Sequence, residues 1–190
     1  MEITQEQLIG ILPATPQAAA GIYVPLLNLY MPQFGISTPA RVGSFLAQIG
    51  EESADFRYTK EIASGQEYEG RKDLGNVFPG DGAKFKGRGL IQITGRNMYN
   101  ECSHDIYGDT RLLDTPQLLE APDMATRSAC WFWDKVKNLN AIADLPDTWV
   151  HPGVHQYSKF QWMTILINGG LNGYNQRIAN YQRAKTVLGF

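Results

Sequence analysis

The stretch FLAQIGEES, residues 45–53, decides how this chain folds. Apolar residues recur through it and just before it at helical spacing: Val42, Phe45, Leu46 and Ile49. This spacing places them on one face and predicts a helix packed against a core. Thr38 can cap that helix, and Pro39 would occupy its first position, where the missing N–H has no cost. We therefore predict a helix from about residue 39 to the paired glutamates.

The two glutamates at the end of this helix differ in orientation. At 100° per residue, Glu51 points away from the apolar stripe, whereas Glu52 lies at its edge, about one turn beyond Ile49. A carboxyl group at the margin of an apolar face is partly desolvated, which raises its pKa and favours the protonated form. General acid catalysis requires such a group. From position alone, the alternative is an edge carboxylate paired with an Arg or Lys.

A glycosidase that works with inversion needs a second carboxylate about 6.5–9.5 Å from the first. Several acidic residues follow the helix: Glu61, Glu67, Glu69 and Asp73. On a continuous helix, Glu61 would lie about 13.5 Å beyond Glu52 and on the opposite face. Pairing the two therefore requires the chain to break and fold back between Phe56 and Glu61.

Length and composition point to a single domain spanning residues 1–190. The formal net charge of −2 lacks the Lys/Arg excess typical of proteins that bind nucleic acid. No apolar run approaches the length of a membrane span, so we expect no membrane insertion. Two cysteines are too few for a disulfide scaffold and are expected to be free thiols. The N-terminus lacks the pattern of a signal peptide, which predicts a cytoplasmic product.

Helical patterns recur along most of the chain, and the expected fold is mainly α-helical. The segments concerned are 4–12, 18–30, 115–119, 123–136, 156–167 and 174–188. Residues 63–89 are rich in Gly, Asp, Asn and Pro, which predicts a long loop that is either functional or mobile. The apolar run Leu90–Thr94 is either a short strand or the start of a buried helix.

Other candidate sites are weaker. His151 and His155 have the spacing of a zinc pair, but the Pro-Gly between them argues against a continuous helix, so we predict no metal and no cofactor. The aromatic residues 131–133 could stack on sugars, yet aromatics at helical spacing usually belong to a core.

Five segments occur in an order that resembles a known family: residues 45–53, 68–76, 80–82, 85–94 and 167–173. Together they are similar to the chitinase-like family 19 glycoside hydrolases, and specifically to the compact branch that includes bacteriophage endolysins. The resemblance covers roughly residues 38–188, with the helices of residues 1–37 expected to pack on that core.

The resemblance implies a lysozyme-like, two-lobed helical fold whose cleft is lined by the glycine-rich segment. It also implies an inverting mechanism on β-1,4-linked N-acetylhexosamine polymers. By position, Glu52 matches the general acid, Glu61 the general base, and Thr94 the residue that helps to hold the attacking water. Gln92, Tyr99 and Asn168 match cleft positions that contact sugar or the catalytic groups. With Arg88, they are the expected substrate-binding residues.

For two of these residues a structural role is the alternative. Arg88 could orient a catalytic carboxylate through a bidentate bond or belong to a structural ion pair. Asn168 with the following Gly169-Gly170 could contact an N-acetyl group, end a helix, or do both.

The sequence departs from the family at Glu51, where a His usually precedes the acid. For the base, Glu67 and Glu69 remain near rivals of Glu61. We predict an endolysin, acting as a monomer on peptidoglycan strands after release from the host cytoplasm. The alternatives are a chitinase and a non-catalytic glycan-binding protein of the same fold.

Overall fold

The computed structural model describes residues 1–190 and is mainly helical. It has ten α-helices: α1 (Gln5–Ile11), α2 (Gln17–Tyr30), α3 (Pro39–Glu52), α4 (Asp81–Lys84), α5 (Arg96–Tyr107), α6 (Arg111–Asp114), α7 (Pro122–Trp131), α8 (Leu139–Ala143), α9 (Lys159–Asn168) and α10 (Tyr174–Leu188). Short 3₁₀ turns occupy Met31–Phe34, Gln66–Tyr68, Lys72–Leu74 and Pro116–Glu120, and a π-helical turn, Phe132–Val136, continues α7. The expected mainly α-helical fold is confirmed.

Helix α3 forms the centre of the molecule, and every residue from 42 to 50 is buried. It packs along α10 and is also contacted by α1 and α8. Gly50 permits the approach of α1, because a Cβ atom there would lie 2.6 Å from Leu12 Cδ2. The ring of Trp133 meets that of Phe45 edge-on, with centroids 5.4 Å apart. Trp131, Phe132 and Trp133 are therefore core residues, as predicted.

Two groups of elements lie on either side of α7. The first contains α1–α3 and α8–α10, and the second contains α4–α6 with the loops that precede them. Helix α7 packs against α2 in the first group and against α5 in the second. This arrangement agrees with the expected two-lobed fold. Glu52 belongs to the first group and Glu61 to the second.

The helix termini show where local sequence signals were sufficient. Thr38 caps α3 by accepting a hydrogen bond from the Arg41 amide, as predicted. Helix α9 begins later than predicted, because Ser158 and Gln161 form a capping box at its start. Helix α5 was not predicted; its weakly apolar sequence hides the buried face formed by Tyr99, Cys102 and Ser103.

The run Leu90–Thr94 forms neither a strand nor a helix. Extended pairing is limited to isolated bridges, of which two join Arg88 to Lys60 and to Ile93. Gln92 adopts a left-handed conformation (φ 57°) that ends regular pairing. This segment is a tight turn, and the chain contains no β-strand longer than a bridge.

No helix has both the length and the apolar character that crossing a membrane would require. Both cysteines are buried and unpaired. Burial raises the pKa of the Cys102 thiol to about 12 and also raises that of Cys130, so neither is a reactive thiolate near neutral pH.

Asp147 ties the loop between α8 and α9 to two helices, and this gives a testable pH dependence. It pairs with Lys159 at 2.7 Å and with Lys185, and these bonds lower its pKa to about 2. Its side chain is 48% exposed, so we expect Asp147→Asn to lower the free energy of unfolding at pH 7 by only about 1 kcal/mol.

The Asp147 stabilisation is present above the pKa of an unfolded aspartate and is lost as the pH falls from about 4 to about 2. Urea unfolding of both proteins at pH 7 and pH 2.5 measures this, with exposed Asp114→Asn as the control. A difference between Asp147→Asn and the native protein that is independent of pH would contradict the assignment.

Candidate active site

Glu52 is the last residue of α3 and lies at the edge of the core. Its side chain is 16% exposed, and its Oε1 accepts a hydrogen bond from Arg177 Nη2 at 2.5 Å. The ion pair holds this carboxylate in one orientation against α10. The sequence had left both interpretations open, a desolvated edge acid and a paired carboxylate; Glu52 is partly buried and also paired.

Arg177 belongs to a network that joins three helices behind Glu52. From α10 it also donates to Gln48 Oε1 at 2.8 Å and to the Asn172 carbonyl at 3.3 Å. Gln48 in turn donates to Thr164 Oγ1 on α9 at 2.9 Å. The sequence patterns did not predict this network. The available signal was Gln48, a polar residue one turn before Glu52 in an otherwise apolar segment.

Glu51 packs against the turn that begins α10. A Cβ atom at Gly173 would lie 2.4 Å from Glu51 Oε1, so only glycine leaves room for this carboxylate. Burial raises the pKa of Glu51, although the nearby Arg177 partly offsets the effect. Glu51 points away from the α3 stripe, as predicted, but it is half-buried against another element rather than free in solvent.

Helix α3 ends at Glu52, and the chain continues in a left-handed turn. Ala54, Asp55 and Phe56 have φ values of 49°, 56° and 64°. The Phe56 amide donates to Ser53 Oγ at 2.9 Å, and the Phe56 ring packs on Tyr23 with centroids 4.9 Å apart. The predicted break exists and lies slightly earlier than expected, at residues 54–56.

The left-handed turn stores backbone strain that can be measured at Ala54, which is exposed. We expect Ala54→Gly to raise the free energy of unfolding by about 1 kcal/mol, because glycine adopts positive φ without steric conflict. Urea unfolding checks this, with Ala14→Gly as a control at an exposed position without positive φ. Destabilisation at both positions would show that Ala54 is not strained.

Glu61 is held by the segment that precedes the tight turn. Its Oε2 accepts a hydrogen bond from the Gly87 amide at 2.8 Å, and its Oε1 accepts one from the Tyr68 hydroxyl at 3.1 Å. Burial, together with this bond, raises the pKa of Tyr68 to about 12, which keeps the phenol a donor. Both carboxylate oxygens of Glu61 are thus oriented.

Glu67 and Glu69, the alternative candidates for the base, have different hydrogen-bond partners and exposure from Glu61. Glu69 accepts bonds from the amides of Gly80 and Gly82, both at 2.7 Å, and so clamps the loop before α4. Glu67 is exposed in a 3₁₀ turn. Of the three, Glu61 is the one held beside Gly87 and Gln92, and it remains our candidate for the base.

Gln92 and Thr94 belong to the tight turn that follows Gly87, the residue whose amide donates to Glu61. A Cβ atom at Gly87 would lie 2.6 Å from Gln92 Oε1 and 3.1 Å from Glu61 Oε2, so glycine allows both side chains to approach. Thr94 Oγ1 donates to the Gln92 carbonyl at 2.8 Å. The hydroxyl proton is therefore used internally, and the oxygen remains free to accept a bond from water.

Asn168 is the last residue of α9, and its side chain donates to the Asn172 carbonyl at 3.3 Å. Arg177 bonds the same carbonyl, which links Asn168 to the network behind Glu52. Gly169 ends the helix with φ 72°, so this segment forms the helix-ending turn that was one of the expected alternatives.

The expectation that Arg88 and Tyr99 bind substrate requires correction. Both are buried, with 4% and 0% of their surface exposed, and Arg88 Nη1 donates to the Tyr99 hydroxyl at 2.9 Å. Arg88 also pairs with Glu120 at 2.7 Å. Of the two expected roles for Arg88, the structure therefore shows the structural ion pair and not a bond to Glu52 or Glu61. Tyr99 donates to the Lys86 carbonyl at 2.6 Å. These two residues position the turn that carries Gln92 and do not reach a substrate.

Comparison with known proteins identifies the family. The sequence profile of glycoside hydrolase family 19, described as chitinase class I, matches residues 31–190. The chain belongs to glycoside hydrolase family 19. This family 19 hydrolase thus has its two candidate catalytic glutamates within the matched region, whereas helices α1 and α2 lie outside it.

Relatives of this family 19 hydrolase come from bacteria and plants. A glycosyl hydrolase family 19 domain-containing protein of Haemophilus influenzae is 26% identical over 88% of this chain and 89% of its own length. An endochitinase of Arabidopsis thaliana is 32% identical over 72% of this chain, but the match spans only 41% of that protein.

Solved structures share the fold. Chitinase C from Streptomyces griseus superposes with a TM-score of 0.67 at 20% identity, covering 98% of this chain and 76% of that protein. A bacterial family 19 chitinase superposes with a TM-score of 0.65 at 22% identity, covering 98% and 95% of the two chains.

The assignment of the base in this family 19 hydrolase can be tested at Glu61. We expect Glu61→Gln to lower glycan hydrolysis by about 10²–10⁴-fold, because an amide cannot take a proton from water. Glu67→Gln is the matched control, since it removes an exposed carboxylate from the same loop. The release of reducing ends measures both. Full activity of Glu61→Gln would assign the base to another residue.

Proposed function

We propose that this glycoside hydrolase is an endolysin that cleaves β-1,4 bonds in the glycan strands of peptidoglycan, with inversion. The observation that supports the mechanism is that the carboxylates before and after the left-handed turn at residues 54–56 are each held in one orientation by the protein. Glu52 is held by Arg177 and Glu61 by the Gly87 amide and the Tyr68 hydroxyl. The choice of peptidoglycan rests on the ordered motifs that resemble the endolysin branch.

In this mechanism Glu52 gives a proton to the glycosidic oxygen as the bond to the anomeric carbon breaks. A water molecule attacks the same carbon from the opposite face of the sugar ring. Glu61 takes one proton from that water. Thr94 Oγ1 accepts the other O–H of the water, since its own proton is donated to the Gln92 carbonyl. No metal or cofactor is needed for these proton transfers.

The second candidate is hydrolysis of chitin. It is favoured by the names of the relatives, because plant endochitinases are 31–32% identical to this chain over 57–72% of its length. Both polymers contain β-1,4-linked N-acetylhexosamine, so the catalytic residues alone do not separate them.

The deciding experiment offers both polymers to the purified protein. New reducing ends are measured on peptidoglycan sacculi and on chitin, the muropeptides are analysed by mass spectrometry, and the anomer formed first is observed by proton NMR. Cleaved peptidoglycan strands with the α-anomer formed first would support the proposal. Cleavage of chitin alone would establish the second candidate, and a β-anomer would refute inversion.

We propose that the enzyme acts as a monomer, accumulates in the host cytoplasm and meets the wall after release. Sedimentation of the purified protein tests the first point. Fractionation of producing cells, before and after permeabilisation of their membrane, tests the others.

A further inference from the structure

Four rings form an aromatic cluster at the start of α9: Trp149, His151, Tyr157 and Trp162. His151 stacks on Trp162 with centroids 3.8 Å apart, and Trp149 meets His151 edge-on at 6.1 Å. Tyr157 lies nearly parallel to Trp162, at 17°. All four are partly exposed, and none of the four belongs to the hydrophobic core or packs against it. The fold therefore does not need these rings for its core.

The loop that carries three of the rings is held in shape by its own backbone. The His151 amide donates to the Tyr157 carbonyl at 2.8 Å, and Val150 and Ser158 form an antiparallel bridge. The His151 ring also packs closely on Gly153, where a Cβ atom would lie 3.0 Å from Nδ1. The rings are thus arranged before any ligand arrives, which reduces the entropy lost on binding.

The polar edges of the cluster have no partners within the protein, unlike those of the core tryptophans. The indole nitrogens of Trp131 and Trp133 donate to Asp105 and Asn140. Those of Trp149 and Trp162 make no hydrogen bond, nor do the ring nitrogens of His151 or the Tyr157 hydroxyl. The cluster therefore combines apolar faces with unused donors and acceptors.

The cluster lies on the opposite side of α9 from the catalytic network. Trp162 precedes Thr164 by two residues, which is 200° around a helix. Thr164 faces Gln48 and, through it, Arg177 and Glu52. Trp162 accordingly projects away from that network, and the cluster is separate from the catalytic residues.

We propose that the aromatic cluster is a second binding surface for an N-acetylhexosamine glycan strand, the polymer of the proposed function on which this inference rests. Aromatic faces suit the C–H face of a pyranose ring, and the free N–H and O–H groups suit its hydroxyl and acetamido groups. Residues 148–158 contain no Asp, Glu, Lys or Arg, which matches an uncharged sugar. Binding there would hold the enzyme on its polymer between cleavage events.

A lipid surface is the competing ligand, because Val154 at the tip of the loop is 98% exposed. A single valine between Gly153 and His155 buries little apolar area, whereas four rings with unpaired polar edges suit a sugar better. Binding to lipid vesicles tests this alternative separately.

The test uses the full chain with Glu52→Gln, so that polymer is bound without being cut. Co-sedimentation with peptidoglycan sacculi is compared for this protein and for the added double change Tyr157→Ala/Trp162→Ala. We expect the dissociation constant to rise about tenfold. Leu29→Ser, which removes an exposed apolar side chain from α2, is the matched control and should bind unchanged.

A direct readout is the indole N–H signals in NMR spectra on addition of soluble N-acetylglucosamine oligomers. Those of Trp149 and Trp162 should shift, and Trp162→Leu should abolish the second signal while keeping an apolar side chain on α9. Thermal unfolding of each variant shows whether it is folded. If the double variant is unfolded, Trp162→Leu replaces it in the sedimentation assay. The dissociation constant is again expected to rise.

Unchanged polymer affinity of a folded variant, with cleavage by the native protein intact, would overturn this inference and leave the proposed function standing. Binding to phosphatidylglycerol vesicles that is lost in the variant, with glycan binding unchanged, would assign the cluster to lipid. If the native protein neither binds nor cleaves any glycan, the proposed function itself fails.

Discussion

Replacing Glu52 with glutamine is expected to lower glycan hydrolysis by about 10²–10⁴-fold while leaving the protein folded. The amide oxygen of glutamine can still accept the hydrogen bond from Arg177, so the network behind the site retains its partner. The side chain can no longer give a proton to the glycosidic oxygen. The loss therefore appears in the rate of bond cleavage and not in the amount of folded enzyme.

The measurement is the rate of reducing-end release from peptidoglycan and from chitin, with thermal unfolding recorded for each sample. Glu101→Gln is the matched control, because Glu101 is an exposed carboxylate on α5 without an ion pair. Its activity should equal that of the native protein. A Glu52→Gln protein that retains more than a tenth of the native rate on both polymers would show that Glu52 is not the acid.

Replacing Arg177 with methionine is expected to lower the free energy of unfolding by about 3 kcal/mol. The reason is that Arg177 is 3% exposed, and its loss leaves the Glu52 carboxylate and Gln48 Oε1 without their partner. We also expect the activity per folded molecule to fall about a hundredfold, because Glu52 is no longer held in place.

Two further variants separate structure from positioning. Arg183→Met removes a half-buried arginine from the same helix, where it donates to the Ile11 carbonyl, and should cost about 1 kcal/mol without changing the activity per folded molecule. The double variant Glu52→Gln/Arg177→Met should be more stable than Arg177→Met alone, since no unpaired charge remains buried. Strictly additive effects would mean that the two side chains do not interact.

Helices with clear apolar spacing or capping residues were predicted correctly from the sequence. Helix α3 follows from its apolar spacing, its Thr38 cap and Pro39, and α10 was predicted with the same bounds that it has in the structure. Helix geometry also showed that pairing Glu52 with Glu61 would require a break in the chain after α3. The form of that break was not predicted, because three consecutive left-handed residues without glycine are not signalled by Ala54, Asp55 and Phe56.

The errors concern residues whose roles depend on distant partners. Arg88 and Tyr99 were expected to bind substrate, yet each is buried against the other and against Glu120 or Lys86. The predicted direction of Glu51 did not reveal its neighbour, because the structure buries it against Gly173, over a hundred residues away.

The sequence by itself determined the mainly helical fold, the family and the positions of the candidate acid and base. The helical fold follows from periodicity and capping, which act between residues close in the chain, whereas the family and the candidate acid and base follow from the resemblance of the ordered motifs. Only the tertiary structure decided what surrounds each carboxylate: Arg177 for Glu52, and Gly87 with Tyr68 for Glu61. The electrostatic state of a carboxyl group depends on burial and on charges within a few ångströms, and in this chain the charge beside Glu52 comes from 125 residues away.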